Sequence, residues 1–70
     1  MKLYVIIGDL PYDGLHFEKC FSSIEKARSY FNVLKIEYKN VGTLRETNDL
    51  IVFNNNDVYK ILEIECNEID

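Results

Sequence analysis

Apolar residues at Ile24, Ala27, Phe31, Leu34, Tyr38 and Val41 recur at spacings of three and four, which lines them along one side of a helix. Ser22 stands three residues before Glu25, the spacing at which a serine hydroxyl and a glutamate carboxylate cap each other's backbone amides. Gly42 follows the stripe, where a left-handed residue ends a helix. The pattern predicts one amphipathic helix from about Ser23 to Asn40. Val33–Lys39 also alternates and offers a rival strand, but the unbroken stripe favours the helix.

The flanks read differently. Lys2–Ile7 is β-branched and aromatic, and Leu15–Phe21 alternates apolar with polar. Between them lies a segment rich in turn residues, with Pro11 and Asp13-Gly14 the strongest signals. After the helix, Thr43–Asp49 is polar and turn-like. Leu50–Asn54 and Val58–Cys66 are strands around Asn54–Asp57, whose residues tolerate positive φ. The expected fold is α+β: a single compact domain over 1–70, in ββαββ order, with a mostly antiparallel four-stranded sheet and one helix on one face. Pairing of the first and third strands would make that sheet wholly antiparallel.

A single helix covers a single face, and these strands are apolar on both sides. If Leu3/Val5/Ile7, Leu15/Phe17/Phe21, Leu50/Val52 and Leu62/Ile64 face the helix, the open face collects Tyr4, Ile6, Ile51, Phe53, Tyr59 and Ile61. Glu63 and Glu65 fall on that same side of the last strand and would form its rim. Six large apolar groups make a patch of several hundred Å², more than a small monomer usually leaves in water. These eight residues are therefore the expected partner-binding surface.

Composition narrows the class. Seventy residues with 47% hydrophobic content, five Tyr and four Phe suit a globular chain. A domain of this length buries only about 60% of its unfolded surface, and its core supplies roughly 3–5 kcal/mol. The formal charge of −4 argues against a plain phosphate-backbone binder, and Lys35 with Lys39 is too small a basic footprint to change that. Leu3–Ile7 is too short for a signal or spanning segment. The expectation is a cytoplasmic protein that contacts neither nucleic acid nor membrane, with Cys20 and Cys66 reduced and buried.

Candidate chemistry is sparse. Asp9, Asp13 and His16 cluster around the first turn and could in principle bind a metal or move a proton. Aspartate is ordinary in turns, however, and His16 sits between Leu15 and Phe17 on a strand. Cys20 lies four residues from His16, about 13 Å along a regular strand, too far for a thiolate–imidazole pair. No glycine-rich phosphate loop or nucleophile elbow occurs. No catalytic residue, metal ligand or cofactor is expected. Glu63, Glu65, Glu68 and Asp70, joined by Asp57, form an acidic end that could imitate a phosphate backbone.

Asp13-Gly14, the run Phe21-Ser22-Ser23-Ile24-Glu25-Lys26-Ala27 and the strand from Val58 to Glu65 occur in an order similar to that of small proteins of phage and bacterial genomes. The resemblance covers most of the chain through structural cues; the longer helix and the strand at Leu50–Asn54 depart from it. It carries no active site. It implies a setting in which short acidic proteins bind and disable a host protein. The leading expectation is a non-catalytic, phage-encoded binding protein that inhibits or redirects a host or defence protein, with a homo-oligomer as a further partner. Alternatives are an oligomer that sequesters a nucleotide, a DNA mimic, or an enzyme built on Asp9, Asp13 and His16.

Overall fold

The computed structural model describes residues 1–66. Its elements are β1 (Lys2–Leu10), β2 (Gly14–Phe21), α1 (Ile24–Glu37), β3 (Thr43–Glu46), β4 (Leu50–Phe53) and β5 (Val58–Glu65). They form one five-stranded sheet in the order β2-β1-β5-β4-β3, and every neighbouring pair is antiparallel. The small α+β domain is as expected, with one strand more than expected. Thr43–Glu46 reads as a turn because all four residues are exposed. It is a short edge strand, folded back on β4 through a turn in which the Thr47 hydroxyl accepts from the Leu50 amide at 3.1 Å.

Strand order differs as well. β1 pairs with β5 along its whole length, from Lys2↔Glu65 to Asp9↔Val58, rather than with the Leu50–Phe53 strand. Because β3 occupies the outer edge of β4 and β5 the inner one, β4 has no edge left for β1. At the Asn54–Asp57 turn, Asn56 takes φ 72° and the Asp57 amide donates to Asn55 Oδ1 at 3.0 Å.

Helix α1 is shorter than its apolar stripe. Its N-cap is Ser23, one residue later than the Ser22 spacing predicts: Ser23 is extended, and its hydroxyl accepts from the Lys26 amide at 3.3 Å. The same hydroxyl donates to Glu25 at 2.8 Å. Glu25's own backbone amide, and then that hydroxyl, hold its carboxyl below the usual range. Val33–Glu37 is helical, so the strand alternative fails there. At the other end Tyr38 leaves helical geometry while its ring stacks on Phe53 at 4.0 Å, ending the helix before Asn40. Gly42, at φ 86°, then donates to the Tyr38 carbonyl and turns the chain into β3.

The core lies between α1 and one face of the sheet. Ala27, Phe31 and Leu34 from the helix meet Ile6, Ile51, Phe53 and Tyr59 from the strands. Tyr4, Leu10, Phe21, Tyr30, Tyr38, Val41 and Ile61 pack around them, half-buried.

Candidate functional site

The helix covers the opposite face from the one expected. Ile6, Ile51 and Phe53 have no exposed surface and Tyr59 is 5% exposed, so the residues expected on the open face form the core. Tyr4 and Ile61 pack at the edge of that core. The physical reason is charge. Lys60 alternates with Tyr59 and Ile61, and Asp9 with Gly8 and Leu10. A helix over Leu3, Val5 and Ile7 would therefore trap an ammonium and a carboxylate in apolar surroundings, at a cost of several kcal/mol each. The face that the helix does cover offers Ile6, Gly8, Tyr59 and Ile61 at the corresponding central positions, with no charge among them.

Glu63 and Glu65 lie beyond the helix N-terminus on the covered side, not at the rim of an open patch. Lys2 Nζ stands 3.7 Å from Glu63, and the Met1 amine 3.5 Å from Glu65. Tyr4, Ile61 and Glu63 do come together, with Ile24 and the Arg28–Asp49 ion pair, around a depression of about 200 Å³. That ion pair (3.2 Å) joins two exposed side chains and contributes little stability.

The open face carries Leu3, Val5 and Ile7 from β1, Leu50 and Val52 from β4, and Val58, Lys60, Leu62 and Ile64 from β5, as the register of cross-strand partners requires. Leu15, Phe17 and Cys20 join it from β2, opposite Asp9, Ile7 and Val5. Only Val5 on this face is buried. Leu15 and Phe17 are 68% and 63% exposed, and Leu62 and Ile64 about 40%. Ile7, Leu15, Phe17, Lys60 and Leu62 surround a shallow apolar hollow of about 320 Å³. Together these groups present several hundred Å² of apolar surface to solvent.

A bulge in β2 decides where its polar groups go. Ile6 pairs with Lys19 but Ile7 with Phe17, so Glu18 is an extra residue. Parity changes across it. His16, opposite Gly8, lies on the covered side, whereas Cys20, opposite Val5, lies on the open side, and the cysteine is exposed rather than buried. The His16 ring fills the space above Gly8, where a Cβ would come within 2.7 Å of its Nε2 and 2.9 Å of Tyr59 Cε1. Asp9, paired with Leu15, points the other way from His16, and the expected Asp9–Asp13–His16 cluster does not converge. Among the described residues no three His, Cys, Asp or Glu side chains gather as a metal-binding group.

His16 belongs instead to a polar border around the core. Its Nε2 is 3.3 Å from Glu18, whose other oxygen accepts from the Tyr30 hydroxyl at 2.7 Å. Farther along, the Tyr38 hydroxyl donates to Asp57 at 2.7 Å and lies 2.9 Å from the Tyr59 hydroxyl. Burial, and then these hydrogen bonds, push Tyr30 and Tyr38 well above the ordinary tyrosine value; burial does the same to Tyr59. These phenols stay neutral and hold the helix to the sheet; none is poised to exchange a proton near neutral pH. Sequence reasoning missed this border, whose only signal is that Tyr30, Tyr38 and Tyr59 need partners for their hydroxyls once buried.

Among the described residues no helix is long and apolar enough to cross a membrane. Compared with protein-family models, curated proteins and solved structures, the chain matches none.

Proposed function

We propose that the chain is a non-catalytic binding module that docks on another protein through the open face of its sheet. In the phage setting suggested by its sequence cues, the partner is a host or defence protein that is inhibited or redirected. The observation that carries this reading is the run of uncovered apolar side chains on one face of the sheet: Leu15, Phe17, Leu62 and Ile64. A monomer gains nothing from leaving them in water, and a partner that covers them gains about 25 cal/mol per Å². Lys60 at the centre keeps its stem on the patch and its ammonium free for an acidic group of the partner. Phe53 and Tyr59 act only by supporting the sheet from beneath.

The test compares the wild-type chain with Leu62→Lys/Ile64→Lys, which changes the open face and leaves the core alone. Both proteins should show the same circular dichroism and melting. On a column of immobilised protein exposed to bacterial lysate, only the wild type should retain a discrete partner. Retention of the same partner by the folded double variant would remove the reading.

A further inference from the structure

The two edges of the sheet are built differently. β3 is four residues long, bulged between Thr43 and Arg45, and charged, with Glu46 3.1 Å from Lys35 of the helix. Short, charged edges resist the addition of another strand, and β2, although bulged at Glu18, is twice as long. β2 is eight residues long, and its first four residues, Gly14-Leu15-His16-Phe17, carry no carboxylate or ammonium. Among the described residues only β1 pairs with it, so its outer amides and carbonyls face solvent. Its Leu15 and Phe17 are the most exposed large apolar residues of any strand.

Apolar space adjoins this edge on both sides. On the open side lies the hollow at Ile7, Leu15, Phe17 and Leu62. On the helix side a groove of about 360 Å³ runs between β2 and α1, walled by Phe21, Tyr30 and Val33 with Glu25, Lys26 and Ser29 at its rim. A strand added to β2 would thus find apolar surface for side chains on each of its faces.

We propose that this strand is β2 of a second copy, paired antiparallel across a two-fold axis, so that two five-stranded sheets become one of ten strands. This pairing would cover Leu15 and Phe17 at the margin of the docking face and leave Leu62 and Ile64 to a partner. Full overlap of the two strands, with the bulged Glu18 left out of each count, puts the axis beside Phe17, where the two Phe17 rings meet on the open side. The self-complementarity of the apolar positions favours a second copy. About that axis His16 of each copy faces both bulge residues of the other, Glu18 and Lys19. Leu15 of each then meets Cys20 of the other on the open side, apolar against apolar. A strand of this length spans about 27 Å, and with both grooves closed it covers on the order of 600 Å² per copy, the lower bound for a specific interface.

The test uses the full chain in a Cys20→Ser/Cys66→Ser background. Wild type and background should sediment as dimers of the 8.3 kDa chain at 100 μM or below (about the range expected for a modest interface). Phe17→Cys in that background should be joined covalently by a short bifunctional thiol reagent, because the axis sets the two residues 17 opposite each other. Leu62→Cys, on the middle of the face, should remain single. Leu44→Lys, at the other edge, should leave the dimer unchanged. A monomer at 100 μM (about the concentration above), or joining through Leu62→Cys but not Phe17→Cys, overturns the proposal; the second outcome would mean that copies meet face to face.

Discussion

The two faces of the sheet are nearly equal in apolar content, yet one is sealed and the other is wet. Ile6, Ile51 and Phe53 vanish beneath α1, while Leu15, Phe17, Leu62 and Ile64 stay in solvent. Hydrophobicity alone does not separate these sets. The position of the charges and one absent side chain do: Lys60 sits in mid-sheet on the wet side, whereas Lys2, Lys19, Glu63 and Glu65 of the covered side lie exposed at its margins, and Gly8 makes room there for the His16 ring. A single badly placed ion costs more than several misplaced methyl groups recover, so in a small domain an ion in mid-sheet disfavours the face that carries it as the one the helix covers.

The sharpest way to break this comparison is to truncate one residue on each face. Phe53→Ala removes a ring that stacks on Tyr38 and packs against Tyr59, and should cost about 3–5 kcal/mol. That matches the whole stability expected of such a domain, so the variant should be unfolded at 25 °C (about room temperature) by circular dichroism. Leu62→Ala should cost below about 1.5 kcal/mol, because its side chain is already partly in water. Equal losses in urea titrations would show that the faces are energetically alike.

The polar border offers a smaller lever on the covered side. Tyr38→Phe leaves the stacked ring but strands the Tyr59 hydroxyl and leaves the Asp57 carboxylate to Asn55, and should cost about 1–2 kcal/mol. The same phenols give the fold an alkaline limit. Their folded values are raised, so their contribution is intact below the unfolded tyrosine value of about 10 and is lost as pH rises above it, when the unfolded chain ionises first. Melting temperature should fall from that pH upward, and less steeply in Tyr38→Phe. A flat profile would mean that these hydroxyls are not held by the fold.

The weakest perturbation loosens the cover itself. Ser23→Ala removes the N-cap and should cost about 1 kcal/mol. Ser22→Ala, at an exposed position outside the cap, should stay within about 0.5 kcal/mol. The reverse ranking would return the cap to Ser22.

Much of the architecture is legible in the residues. The three–four spacing through Phe31 and Leu34 identifies the helix, and Asp13-Gly14 and Asn54–Asp57 mark two of the three hairpin turns. β3 is not legible, because an edge strand with both sides in water needs no alternation: Thr43-Leu44-Arg45-Glu46 has none. The covered face was open to inference from Lys60, whose parity with Leu62 and Ile64 is plain in the sequence. The bulge at Glu18 was not, since its register depends on β1, and with it went the side on which Cys20 and His16 lie.

The pairing of β1 with β5 has a consequence for how the chain acquires its shape. The strands at the middle of the sheet are separated by almost the entire sequence, whereas the β1–β2 hairpin and the β3–β4–β5 meander close locally. Each local piece can form early, but neither has a core until the long-range seam zips, and that closure carries most of the entropic cost. During synthesis the inner rim of β1 must therefore wait, unsatisfied, until β5 has left the ribosome. A chaperone, or a stray strand from a neighbour, has its best opportunity in that interval.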